Sequence, residues 1–254
     1  PLGSLDEYVR RWLEVPSSQV LFVFGGFGSG KTFSTYVLCR ELALEYLSNP
    51  ITGTVCLRLP LRSFSRCGSI DSLLRDSLDR IGVSLADWHV LCAVTRVLVV
   101  LDGFDEMSVR LDQQSIEQNI VELQSACQGL GDVKVLVTSR TRFFGSIKYE
   151  LHLRERLVQP KFVYLEPLRR RESLGSLLRH ARSPEERARI NELAGMNDPI
   201  GLASRPLFHS MIQEILQDLP SGPIDQTSLY ERYVHRTLER NEERLDPEGV
   251  GSSR

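Results

Sequence analysis

Apolar positions fall into short unbroken runs alternating with longer stretches of helical period, and this alternation organises the first two thirds of the chain. Residues 5–14 (LDEYVRRWLE) read as a short amphipathic helix with Leu5, Val9, Trp12 and Leu13 on one face, broken by Pro16-Ser17-Ser18. The run QVLFVFGG predicts a strand buried on both sides. From Gly30 to about Leu47 the spacing is helical, with Phe33, Val37, Leu38 and Leu42 as the expected buried face. GTVCLRLPL predicts a second strand, and Ile70, Leu73, Leu74, Leu78 and Ile81 mark a helix that Gly82 ends. Val97–Leu101 is the third strand; Ile116, Ile120, Leu123 and Cys127 form another helical stripe. VKVLVT (133–138) and KFVYLEPL (161–168, stopped by Pro167) complete a set of strands separated by helices, which implies an α/β fold with a parallel sheet covered on both faces.

After Leu168 no strand pattern remains. Residues 168–182 are arginine-rich and helical, and Ser183-Pro184-Glu185-Glu186 is a helix start with a capping serine and acids near the positive dipole end. RPLFHSMIQEILQDL and SLYERYVHRTLERNEERL supply two more helices, and the terminal GVGSSR reads as frayed. The expected division is an α/β domain over 5–165 and a helical domain over 166–254, with residues 1–4 (PLGS) read as the scar of a cleaved expression tag.

Composition narrows the function less than it narrows the fold. A net charge of -2 over 254 residues offers no electrostatic basis for nucleic acid or an anionic membrane as the main partner. No apolar run approaches the roughly 18 residues of a membrane span, and no secretory leader is visible, so a cytoplasmic protein is expected. Cys39, Cys56, Cys67, Cys92 and Cys127 are scattered without a C-x-x-C pair, which favours reduced thiols over a metal site or disulfide framework. Lysine is rare (Lys31, Lys134, Lys148, Lys161), and this makes Lys31 stand out.

Lys31 closes Gly25-Gly26-Phe27-Gly28-Ser29-Gly30-Lys31-Thr32, a full G-x-x-x-x-G-K-[ST] between a strand and a helix. Glycines there let successive backbone N–H groups turn in on phosphate oxygens, and the helix adds its N-terminal dipole. Lys31 is expected to reach the β- and γ-phosphates and the Thr32 hydroxyl to ligate Mg²⁺. VLVVLDGFDE then ends a strand in three acids. Asp102 is the expected second magnesium ligand. Glu106 is the expected base that takes the proton of the attacking water, with Asp105 orienting it or the metal's waters, although the two could exchange roles. Three carboxylates this close repel one another, and their crowding is expected to be compensated only when nucleotide is bound, with Lys31, Thr32, Mg²⁺ and Arg140 converging on them. Thr138-Ser139-Arg140 ends the fourth strand, with Arg140 as candidate γ-phosphate sensor and Arg142 behind it; the alternative is a structural arginine, paired for example with Asp132.

Together GGFGSGKTF, VLVVLDGFDE, VLVTSRTRFF and VYLEPL resemble the NACHT domain of STAND-class signalling NTPases, relatives of the AAA+ proteins. The D-G-F-D-E acids are the most discriminating element. TSRTRFF is closer to bacterial members than to animal immune receptors. The resemblance implies strand order 5-1-4-3-2, ATP or ADP as the nucleotide, Phe33 beside it, and Pro206 in NDPIGLASRPLF packing near its base. SLYERYVHRTLER resembles the L-Y-x-x-[FY] helix that closes the family's first helical domain. The family's winged-helix, sensor and effector regions have no counterpart in these residues, so an excised module of a longer protein is expected. His235 lies in the helical domain and is not given the winged-helix histidine's role. The resemblance implies a nucleotide-controlled switch in immune or stress signalling, antiphage defence included, self-associating in its ATP state and hydrolysing ATP slowly. The alternatives are an AAA+-like motor on nucleic acid or protein and a P-loop kinase, for which Arg169-Arg170-Arg171 is the local phosphate-gripping candidate; such a run is more often a solvated helix face.

Overall fold

The computed structural model describes residues 4–107, 113–141, 147–195, 204–216 and 226–245. Arg142, the NDPIG stretch and the terminal GVGSSR lie outside the described residues. The chain divides into two compact units, Pro1–Leu165 and Glu166–Arg254.

In the first unit, strands β1 (Val20–Gly25), β2 (Thr54–Pro60), β3 (Arg96–Asp102), β4 (Lys134–Arg140) and β5 (Lys161–Leu165) form one sheet, ordered β2-β3-β4-β1-β5. All the pairings are parallel. This is the order 5-1-4-3-2 read from the other edge. Helices α1 (Leu5–Leu13), α2 (Lys31–Ser48), α3 (Phe64–Cys67), α4 (Ile70–Arg80), α5 (Leu85–Val94), α6 (Gln113–Leu130) and α7 (Ile147–Arg156) accompany it.

The unbroken apolar strands resolve into two cores by simple alternation. Val20, Phe22 and Phe24 of β1, Val97, Val99 and Leu101 of β3, and Val135 and Val137 of β4 pack with α4–α7. The residues between them, Leu21, Val23, Leu98, Val100 and Leu136, pack on the other face with α1 and α2. Phe22 and Phe162 stack at 5.3 Å across β1 and β5, and the Arg154 guanidinium of α7 lies 4.5 Å from the Phe162 ring centre.

The second unit is helical: α8 (Arg170–His180), α9 (Pro184–Gly195), α10 (Pro206–Glu214) and α11 (Gln226–Leu245). Leu177, Ile190, Leu193, Phe208, Met211, Ile212 and Leu229 make its core.

The pattern misplaces two faces. α2 turns Thr35, Leu38 and Leu42 to the sheet and leaves Phe33 71% exposed, with Val37 exposed too. The phase is set by the glycine loop at its start, and the Thr35 hydroxyl donates to the Thr32 carbonyl and accepts from Arg58 on β2. Ile81 lies beyond α4 and is exposed, because the helix ends at Arg80 and Gly82 takes a positive φ that turns the chain. Helices α3, α5 and α7 fall where no helix is expected. α5 carries apolar residues around its whole circumference and so has no periodic stripe, although Ser84, capping the backbone N–H of Asp87, marks its start.

Candidate functional site

Because the strands are parallel, Gly25, Asp102 and Arg140 end at one edge of the sheet, where an open α/β sheet binds ligands. Between β1 and α2 the loop Gly25–Gly30 turns through Gly28 (φ 71°) and Gly30 (φ 87°), left-handed conformations that side chains disfavour. Gly30 serves as the N-cap of α2 with no side-chain capping bond, so the first backbone N–H groups of the helix face the loop. Lys31 Nζ donates to the carbonyls of Gly25 (2.9 Å) and Gly26 (3.0 Å). Burial lowers the Lys31 pKa from its ordinary value, while Asp105 pulls it back up; Arg140 lowers it, and Asp102 and Glu106 raise it. Ser29 Oγ is buried with no hydrogen-bond partner. A cradle with an unused hydroxyl and a desolvated ammonium is short of an anion, and a nucleotide phosphate fits that need.

Two of the three acids have cationic partners within the protein. Asp102 is 6% exposed; its Oδ1 accepts from Thr138 Oγ1 at 2.6 Å, and its Oδ2 is ion-paired with Arg58 of β2. Thr138 Oγ1 in turn accepts from the Gly103 backbone N–H, which locks the end of β3 to β4. Asp105 accepts the Arg140 backbone N–H through Oδ1 (3.0 Å) and pairs with Arg140 Nε through Oδ2 (2.9 Å). Arg140 is thus among the groups that compensate the acids, as expected, but Arg58 joins it, and both pairs form within the protein itself. Arg140 pairs with Asp105, not with Asp132, and its guanidinium lies 5.8 Å from the half-exposed ring of Phe27. Glu106 is the exposed acid of the three. Gly103 (φ 85°) folds the turn so closely that a Cβ there would meet Glu106 Cδ at 3.1 Å.

Arg58 is the site residue that sequence reading misses. Its Nε donates to Thr35 Oγ1 (3.2 Å), and its guanidinium lies 4.0 Å from the Tyr36 ring centre. The available signal is an arginine in the middle of the apolar strand VCLRLPL, where a charge needs a partner. Arg58→Ala is expected to leave a buried, unpaired carboxylate at Asp102 and to cost about 3–5 kcal/mol, measured by chemical denaturation. Arg58→Lys is expected to recover only part of that loss, because a point charge cannot reproduce the guanidinium's two contacts.

Thr32 Oγ1 stands 3.5 Å from Asp102 Oδ1. A hydroxyl and a carboxylate converging this way are the oxygen donors that a hard divalent cation takes, so the pair fits Mg²⁺. The remaining candidates are accounted for one by one. Phe33 is exposed on the first turn of α2, close in sequence to the cradle. Pro206 belongs to the second unit, where it opens α10 at the first helical position. Arg169, Arg170 and Arg171 are exposed at the start of α8. His235 is exposed on α11, 3.3 Å from Glu239.

A five-stranded parallel sheet in this order, with a glycine cradle after β1 and an acid at the end of β3, defines a P-loop NTPase. Residues 19–183 match the model of the NACHT domain, and the chain belongs to that family of nucleotide-binding NTPases. An uncharacterised WD repeat-containing protein of Nostoc sp. (strain PCC 7120) is 27% identical over 258 residues, covering 94% of this chain. The chain spans 17% of that relative's length. Among solved structures, the Walker-type ATPase of Pyrococcus abyssi superposes with a TM-score of 0.53 at 15% identity, over 95% of this chain and 73% of that one. The ORC2 protein of Aeropyrum pernix, solved in ADPNP-ADP complexes, gives 0.51 at 14% identity, over 91% and 65%. These likenesses are of fold. No helix among the described residues is long and apolar enough to cross a membrane.

Proposed function

We propose that this chain is the ATP- and ADP-binding module of a STAND-type signalling switch, with slow magnesium-dependent ATP hydrolysis as its reset. The observation that carries this reading is that Asp102, Asp105 and Lys31 each have a partner within the protein itself. A site built only for turnover is served by groups already aimed at the substrate. Here nucleotide binding exchanges the carbonyl partners of Lys31 and the carboxylate partner of Arg140 for phosphate oxygens, and such an exchange distinguishes two states.

In this reading Lys31 moves its hydrogen bonds from the Gly25 and Gly26 carbonyls to phosphate oxygens, and Ser29 Oγ gains a partner. Thr32 and Asp102 would hold Mg²⁺, which neutralises charge on the β- and γ-phosphates. Arg140 leaves Asp105 for the γ-phosphate, a move that ADP cannot reward. Glu106, exposed and not ion-paired among the described residues, accepts a proton from water as that water's oxygen attacks the γ-phosphorus and the bond to the bridging oxygen breaks. Pro206 is assigned to the base and Phe33 to the phosphate side, by family resemblance. The module's wider partners are a second ATP-loaded copy and the sensor and effector regions of the longer protein, in stress, immune or antiphage signalling.

Arg140→Ala is expected to bring the affinities for a non-hydrolysable ATP analogue and ADP to within about 3-fold of each other, through loss of the γ-phosphate contact while the cradle remains. Calorimetric titration with each nucleotide checks this; a mutant that discriminates like the wild type makes Arg140 structural. The switch itself is tested by solution mass, from light scattering with ADP and with the ATP analogue. A larger species with the analogue alone supports it, and one unchanged mass in both contradicts it.

A further inference from the structure

Cys39 and Cys56 are separated by 17 positions in sequence but meet in space. Cys39 is on α2 and Cys56 on the edge strand β2, with their Sγ atoms 2.7 Å apart. Both thiols are free and partly exposed, whereas Cys127 is buried. A disulfide requires the sulfurs to close to about 2.05 Å, so less than 1 Å of further approach joins them. Arg58, two residues along β2, supplies positive charge beside the pair.

We propose that Cys39 and Cys56 form a reversible thiol-oxidation site that clamps the phosphate-loop helix α2 to strand β2. The thiols have unequal roles. The hydrogen bond shared with Cys56 holds the Cys39 thiol below its ordinary range, with Arg58 assisting while burial and Asp102 oppose; the same bond and burial push Cys56 up. Cys39 is therefore the attacking thiolate and Cys56 the resolving one. With oxidised glutathione as oxidant, Cys39 S⁻ attacks one glutathione sulfur, forming a mixed disulfide and expelling a glutathione thiolate. Cys56 then loses its proton to solvent and attacks Cys39 Sγ, releasing the second glutathione thiolate. The two protein thiols give up two electrons, and one glutathione disulfide becomes two thiols. The closed bond ties β2, which carries Arg58, to the helix that carries Lys31 and Thr32.

The test incubates the full 254-residue chain with oxidised glutathione, then maps non-reduced peptides and counts free thiols. The expected result is a Cys39–Cys56 cross-linked peptide, a fall from five free thiols to three, and recovery of all five with dithiothreitol. Cys56→Ser is expected to trap Cys39 as a stable glutathione adduct. Cys39→Ser is expected to slow glutathione incorporation at Cys56 at least tenfold relative to that trapping. Five thiols persisting in the wild type, or cross-linking and adducts centred on Cys67, Cys92 or Cys127, would overturn the proposal. The wild-type map decides the matter even if either variant fails to fold.

Discussion

Lys31→Ala is expected to weaken nucleotide binding by 100-fold or more while the fold survives. Two charge-assisted hydrogen bonds to phosphate oxygens are lost, at roughly 1.5–3 kcal/mol each. The ammonium bonds to the Gly25 and Gly26 carbonyls, at the lip of the cradle, so its removal opens no core cavity. Calorimetry with ADP and with an ATP analogue measures the loss, and unchanged circular dichroism shows that the fold is intact. Normal affinity in the mutant would remove Lys31 from the phosphate site.

Glu106→Gln separates binding from chemistry. The amide keeps the size and polarity of the side chain but cannot take a proton from water, so turnover is expected to fall by about 10²–10⁴. Affinity for Mg-ATP should stay within about 3-fold of wild type, because Asp102 and Lys31 are untouched. Asp105 is the alternative base, because Arg140 releases its Oδ2 on turning to the γ-phosphate. Single-turnover hydrolysis decides between them: wild-type rates in Glu106→Gln would transfer the role to Asp105.

The α/β architecture and the phosphate loop were legible because each is written locally. QVLFVFGG can only be a buried strand once GSGKT opens a helix behind it, and the strand order followed from family likeness to the D-G-F-D-E acids. What stayed hidden depends on groups meeting across the fold. Arg58 finds Asp102 across the β2–β3 pair, 44 residues apart in sequence. Cys39 finds Cys56 only because α2 packs against β2. No spacing rule reports either contact. The exposed side of α2 was misread for a related reason: a helix leading out of a phosphate loop inherits its rotation from the loop, so Thr35 takes the inward position that hydrophobicity would give to Phe33.

These hidden contacts change the account of the site. Three acids beside a phosphate loop suggest a centre held apart by repulsion until a metal arrives. The structure instead pairs Asp102 with Arg58 and Asp105 with Arg140. In the proposed switch only the Arg140–Asp105 pair opens for the γ-phosphate, which ADP lacks, because Arg58 holds Oδ2 of Asp102 and leaves Oδ1 facing Thr32.

The most direct measurement is titration of the chain with a non-hydrolysable ATP analogue and with ADP, each with and without Mg²⁺. The account predicts saturable binding of one nucleotide per chain, strengthened at least tenfold by Mg²⁺ for the triphosphate, and less for ADP. Absence of binding, or equal affinities with and without Mg²⁺, would contradict it.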